Sequence, residues 1–176
     1  DNGALVCFEA LMRLNLADTG VIHHGEFILI AEEIGLISKL GAWAVEEACS
    51  TAARWPSHLI VAVNFSAAQF HTGTLLAEVN LALERTGFAA YRLEVEITEG
   101  TILKNQELVL AQLNSLRDMG CSIALDDFGT GCPSLRYLWH FRFSKLKLNR
   151  PFINSLLPTP NAHYLPGSTL DLPTAH

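Results

Sequence analysis

The sequence predicts an α/β fold, a (β/α) barrel, from three observations. Short strand-like runs alternate with longer helix-like runs, the order that builds a parallel sheet with helices outside it. Each of five strand candidates has one apolar face and one face of small or charged residues. Strands of a doubly wound sheet are covered on both faces and are usually apolar throughout. A barrel whose interior presents polar groups at the strand C-termini accepts the two-faced kind.

The elements follow in order. FEALMRL lies in a strand expected over Ala4–Leu14, with Glu9, Leu11 and Arg13 on one face and Phe8, Ala10 and Met12 on the other. Gly25–Ile37 reads as one helix. Leu40–Trp55 reads as the next, with Leu40, Trp43, Ala44, Ala48 and Ala52 at helical spacing. The strand Leu59–Phe65 sets Ala62, Asn64 and Ser66 opposite Val61, Val63 and Phe65. Leu75, Leu76, Val79 and Leu83 mark a third helix, stopped by Gly87. Leu93–Thr98 sets Glu94, Glu96 and Thr98 opposite Leu93, Val95 and Ile97. Leu110, Leu113, Leu116 and Met119 mark a fourth helix, stopped by Gly120. Ser122–Phe128 puts Ala124 and Asp126 opposite Ile123 and Leu125, and Ser144–Asn149 puts Lys145, Lys147 and Asn149 opposite Leu146 and Leu148. Pro133 suits the first turn of a short helix through Leu138.

Composition excludes several classes. Of 176 residues, 49% are hydrophobic and 17% charged, enough to bury a core and unlike a disordered chain. The net charge of −6, with no basic cluster, argues against a nucleic-acid polymer as partner. No apolar run approaches the ~20 residues that span a bilayer, and no signal peptide opens the chain. Cys7, Cys49, Cys121 and Cys132 form no C-x-x-C pair and lie in or beside apolar segments, which suits free buried thiols in the cytoplasm. The tryptophans Trp43, Trp55 and Trp139 fall on apolar or amphipathic segments and are expected in the core. The histidines, His23-His24 included, lack metal-ligand spacing. Gly129-Thr130-Gly131 lacks the longer nucleotide-binding glycine pattern, and Ser66 and Ser134 have no partnered histidine to make a nucleophile.

The inward polar set is therefore Glu9, Asn64, Glu96, Asp126 and Lys147, with Asp127 just beyond. Converging carboxylates raise one another's pKa unless cations offset the repulsion. Oxygen-only donors select magnesium, manganese or calcium over zinc. In a two-metal site such ions activate water and stabilise the leaving oxygen of a phosphoryl displacement.

FEALMR, EFILIAEEIGLI, VAVNFSAAQF, LEVEITEG, IALDDFGTG and KLKLNR, in this order, strongly resemble the EAL-domain family of cyclic-di-GMP phosphodiesterases from about Phe8 to Phe152. The resemblance implies a TIM-like barrel, incomplete in this chain, that hydrolyses cyclic di-GMP to linear pGpG with Mg2+ or Mn2+. It implies Glu9, Asn64, Glu96, Asp126 and Asp127 as metal ligands, Lys147 as the lysine near the attacking water, and Glu99 as the glutamate ordering the loop after DDFG. It assigns Leu11 and Arg13 to substrate, where an arginine fork suits a phosphate. Cyclic di-GMP and a second copy of the chain are the implied partners, and a longer signalling protein the implied setting.

Departures from the family bear on activity. Asn149 stands where the family usually has aspartate, which should weaken a second metal, and Cys132-Pro133 replaces the usual aromatic–serine pair. The chain lacks the family's earlier strand with its substrate-contacting glutamine, and its two last strand–helix units with a catalytic glutamate and a glutamine. A barrel of about 250 residues is typical, so 176 should leave it open. The division expected is a partial EAL domain over 1–155 and an atypical proline-rich tail over 156–176, without helical or strand period. Three readings stay open: an impaired phosphodiesterase, a non-catalytic module that binds cyclic di-GMP or a protein partner, and an incomplete gene product.

Overall fold

The computed structural model describes residues 4–18, 20–129, 141–149 and 169–171. The expected helix after Pro133, together with Cys132, Ser134, Trp139 and the glycine turn at Gly131, lies outside the described residues.

Five parallel strands form a half-barrel: β1 (Cys7–Ala10), β4 (Ile60–Asn64), β5 (Leu93–Thr98), β6 (Ser122–Phe128) and β7 (Lys145–Leu148), adjacent in that order. Between β1 and β4 lie the antiparallel hairpin β2 (Arg13–Leu16) and β3 (Gly20–His23), then α1 (His24–Glu33) and α2 (Ile37–Ala52). α3 (Ala67–Phe70) and α4 (Leu75–Thr86) precede β5, and α5 (Glu99–Lys104) and α6 (Gln106–Asp118) precede β6. β8 (Thr169–Asp171) closes the far edge, antiparallel to β7.

The apolar strand faces do what the alternation implies. Val61, Val63, Val95, Ile97, Ile123 and Leu125 are buried against Val45, Cys49, Val79, Leu113 and Leu116 of α2, α4 and α6. Each such side chain contributes about 1.5–3 kcal/mol on burial. Gly87, at φ +63, ends α4 in the left-handed cap that a side chain would strain.

Several expectations are corrected. The strand expected over Ala4–Leu14 breaks after Ala10, so Arg13 belongs to the β2–β3 hairpin and not to the barrel sheet. The single helix expected over Gly25–Ile37 ends at Glu33, because Gly35 adopts φ +72 and the chain re-enters a new helix at Ile37. The short helices α3 and α5 had no periodic signal. Trp43 is 57% exposed, since α2 turns Val45, Ala48 and Cys49 inward and Trp43 outward. Trp55, by contrast, packs on the core and against Phe8 at 4.9 Å between ring centroids. The segment over 156–176, with no strand period in its sequence, supplies β8.

Candidate active site

The polar strand faces converge on the concave side of the sheet. Asn64 pairs in register with Glu96, and Glu96 with Ala124, so their side chains share that side. Asn64 Nδ2 donates to Glu9 Oε1 at 2.7 Å, joining β1 to β4. Lys147 Nζ reaches across β6 to Glu96 Oε1 at 2.5 Å, and lies 3.9 Å from both Glu9 Oε2 and Asp126 Oδ2. Glu9, Glu96 and Asp126 thus meet around the Lys147 ammonium, and Asn64 joins them through Glu9.

Two adjacent aspartates become possible through an irregularity in the sheet. Leu125 pairs with Leu146, yet Phe128 pairs with Leu148, so Asp126 and Asp127 together face the single residue Lys147. Such a bulge lets two consecutive side chains serve one site. Asp127 takes φ +53, a left-handed conformation that aspartate tolerates better than most residues. Its N–H donates to Asp126 Oδ1 at 2.8 Å, and its Oδ1 accepts from Asn149 Nδ2 at 3.1 Å.

Glu96 is fully buried. Burial pushes its carboxyl up to about 7, the Lys147 ammonium pulls it back in part, and Glu9 and Asp126 add repulsion. Burial likewise raises Asp126, with the Asp127 N–H and Lys147 opposing and Asp127 and Glu9 reinforcing the shift. Burial alone would lower Lys147, but its bond to Glu96 and the charges of Glu96, Asp126 and Glu9 win, and its pKa rises. Lys147 therefore stays protonated.

Of the remaining expected residues, Leu11 shares a cavity with this cluster, Glu99 lies at the start of α5, and Arg13 lies on the β2–β3 hairpin. Glu99 opens α5, is 1% exposed, and its Oε2 accepts from Gly129 N at 3.4 Å, tying α5 to the turn after β6. Leu11 is exposed at the mouth of a cavity of about 540 Å³ that Glu9, Asn64, Asp126 and Asp127 also line. Arg13 is exposed on β2, and its Nη1 donates to Met12 O at 2.8 Å.

Two features escaped the sequence reading. Glu94, 2% exposed, receives both oxygens' bonds from Lys145 Nζ at 2.8 Å, a second ion pair one layer below Glu96–Lys147. Alternation placed both residues on this face but could not pair them. Gln69, 3% exposed, has its Oε1 on Ser66 N at 2.9 Å, and S-A-A-Q is a recognisable capping-box pattern. The glutamine half of that box is formed, while Ser66 Oγ lies buried without a partner.

The donor chemistry fits a hard divalent cation. Glu96 Oε2, Glu99 Oε1 and Asn149 Oδ1 are buried oxygens without hydrogen-bond partners, and an unpartnered buried carboxylate oxygen is costly. The carboxylates as they stand are gathered around Lys147, and among the described residues no three His, Cys, Asp or Glu side chains are spaced to hold an ion.

Fold and site together define a (β/α)-barrel chain with an acidic site at the C-terminal ends of its strands. The EAL domain family matches residues 1–165, and the chain belongs to that family. It is 39% identical over 159 residues to the bifunctional diguanylate cyclase/cyclic di-GMP phosphodiesterase MucR of Pseudomonas aeruginosa, which covers 88% of this chain and 23% of MucR. It is 34% identical over 161 residues to the cyclic di-GMP phosphodiesterase PdeR of Escherichia coli, covering 90% of this chain and 24% of PdeR. The chain spans less than a quarter of the length of these relatives. The solved MucR phosphodiesterase in complex with c-di-GMP superposes with a TM-score of 0.82 at 39% identity, over 88% of this chain and 64% of that one. The FimX EAL domain of Pseudomonas aeruginosa, at 22% identity and a TM-score of 0.79, shares the fold.

Proposed function

We propose that the chain carries the core of a metal-dependent phosphodiesterase site that hydrolyses cyclic di-GMP to linear pGpG. The observation that carries this reading is the fully buried Glu96, held at the meeting point of Glu9, Asn64, Asp126 and Lys147 with one oxygen unpartnered. Gathering carboxylates in this way carries a desolvation and repulsion cost, and strongly perturbed groups cluster at functional sites. Glu9, Asn64, Glu96, Asp126 and Asp127 would hold Mg2+ or Mn2+, which when bound supplies an activated water and charge stabilisation for the phosphoryl group.

The chain's own residues divide the remaining work. Lys147 keeps its proton, so it donates to a phosphate oxygen or orients the water, and a carboxylate must accept the water's proton. Glu99 holds the turn after β6 through Gly129 and so steadies Asp126 and Asp127. Leu11 lines the cavity and Arg13 lies two residues on in β2, where an apolar side chain suits a base or ribose and a guanidinium a phosphate. Cys7, Cys49 and Cys121 are free thiols, which fits a reducing, cytoplasmic setting. Among the described residues no helix is long and apolar enough to cross a membrane.

One observation favours a second reading, a receptor that binds cyclic di-GMP without turnover. Asn149 meets Asp127 with a neutral amide bond where the family usually has a second carboxylate, so this edge of the site has one negative charge fewer for a second ion. Incubating the chain with cyclic di-GMP and Mn2+ and following pGpG decides between them. Turnover that Glu9→Ala abolishes supports the phosphodiesterase. Saturable binding without turnover supports the receptor, and neither binding nor turnover overturns both.

A further inference from the structure

Helix α2 carries a buried glycine, Gly41, in its first half. A helix-interior glycine costs about 1 kcal/mol relative to alanine. Its φ is not positive, so the backbone does not ask for glycine here. With the Gln69 carboxamide where it lies, the position leaves no room for a side chain. A Cβ at Gly41 would overlap Gln69 Nε2 and stand 2.8 Å from Gln69 Cδ.

Gln69 is the hub of the turn that follows β4. Its Oε1 accepts from Ser66 N at 2.9 Å, its N–H donates to Ser66 O at 3.2 Å, and its carbonyl accepts from Thr72 Oγ1 at 2.8 Å. α3 has four residues, too few to persist without such tertiary support. Ser66 lies two residues beyond Asn64, whose Nδ2 bonds Glu9, and the intervening Phe65 N–H donates to Glu96 O at 2.8 Å. The same turn therefore touches β1 and β5 at the level of the site.

We propose that Gly41 and Gln69 form a positioning pair for the site: the space left by the glycine seats the Gln69 carboxamide, which fixes the turn from which Asn64 reaches Glu9. Gln69 is a positioning residue, acting through Ser66 and Asn64. The inference rests on Asn64 belonging to the site proposed above.

The test uses the whole chain without ligand or metal, and reads hydrogen exchange at the Ser66 amide, the Asn64 side-chain NH2 resonance and the melting temperature. Gln69→Leu, similar in bulk but without an acceptor, speeds Ser66 exchange about tenfold, the order expected for one lost hydrogen bond, and shifts the Asn64 resonance. Gln69→Glu keeps an acceptor oxygen and retains slow exchange. Gly41→Ala reproduces the Gln69→Leu signals because its methyl group displaces the carboxamide, and adding it to Gln69→Ala moves them no further. The proposal is overturned if Gly41→Ala raises the melting temperature, as helix propensity alone predicts, with both signals as in the unaltered chain. It is equally overturned if Gln69→Leu keeps slow exchange, since packing would then suffice. These signals need no substrate, so absent turnover with the signals as expected would sink the functional reading alone.

Discussion

Replacing Glu96 by glutamine should make the metal-free chain gain stability relative to the unaltered chain as pH rises. The carboxyl is raised from 4.5 to about 7 because burial penalises its charged form more than Lys147 favours it. The folded chain thus binds this proton more tightly than the unfolded chain. The resulting stability is fully present below about 4.5 and is lost as pH rises through about 7. The full shift corresponds to about 3 kcal/mol, at 1.36 kcal/mol per unit. Between about pH 5 and about pH 8 some 2 kcal/mol of this is lost from the unaltered chain. Glu96→Gln is nearly isosteric and does not titrate. Lys147 loses its nearest partner but stays charged at both pH values, so that cost cancels in the comparison. The difference in melting temperature, variant minus unaltered chain, measured with chelator present, should therefore widen by roughly 4–8 °C over that pH range. A gap that stays constant would refute the burial-dominated account of Glu96. Adding Mn2+ supplies a second arm. At about a hundredfold its Kd the ion stabilises the unaltered chain by about 2.7 kcal/mol, while the variant, lacking the Glu96 charge, gains less, so the ion shifts the difference toward the unaltered chain.

Other predictions follow from single groups. Arg92→Met removes a guanidinium, 7% exposed, that donates to the carbonyls of Leu59, Ala52, Pro56 and Trp55 at 2.8–3.4 Å at the end of α2. It should cost about 2–4 kcal/mol in urea unfolding, and a loss well under 1 kcal/mol would contradict the capping role. Asn149→Asp trades the bond to Asp127 Oδ1 for a like charge, costing the metal-free chain about 1 kcal/mol. In calorimetry it should tighten Mn2+ binding, and unchanged affinity would detach this edge of the site from any ion. Leu116→Ala, at a fully buried position of α6, should cost about 2–5 kcal/mol by the cavity it leaves, and a loss under 1 kcal/mol in urea unfolding would place Leu116 outside the packed core.

The sequence by itself determined the alternation of strands and helices, the bounds of β5 and β6, and which of their side chains face the barrel interior. Those properties are local. A strand with period two shows its faces wherever it is read, and Gly87 and Gly120 announce helix ends without reference to any neighbour. The family motifs likewise named Glu9, Asn64, Glu96, Asp126 and Lys147 before their distances were known. Everything that depends on a neighbouring strand waited for the tertiary structure. Glu94 and Glu96 share a face with Lys145 and Lys147, and only their positions across β6 decide that Glu94 takes Lys145 and Glu96 takes Lys147. Asp126 and Asp127 face one residue because the β6–β7 register slips, a property of two strands that neither sequence states alone. The strand at Ala4–Leu14 broke after Ala10 because Arg13–Leu16 found a better partner in Gly20–His23 than in the barrel sheet. The raised pKa of Glu96 has the same origin. A carboxylate's charge is written in its residue type, but the cost of keeping that charge is set by the water removed around it and by the one ammonium placed against it.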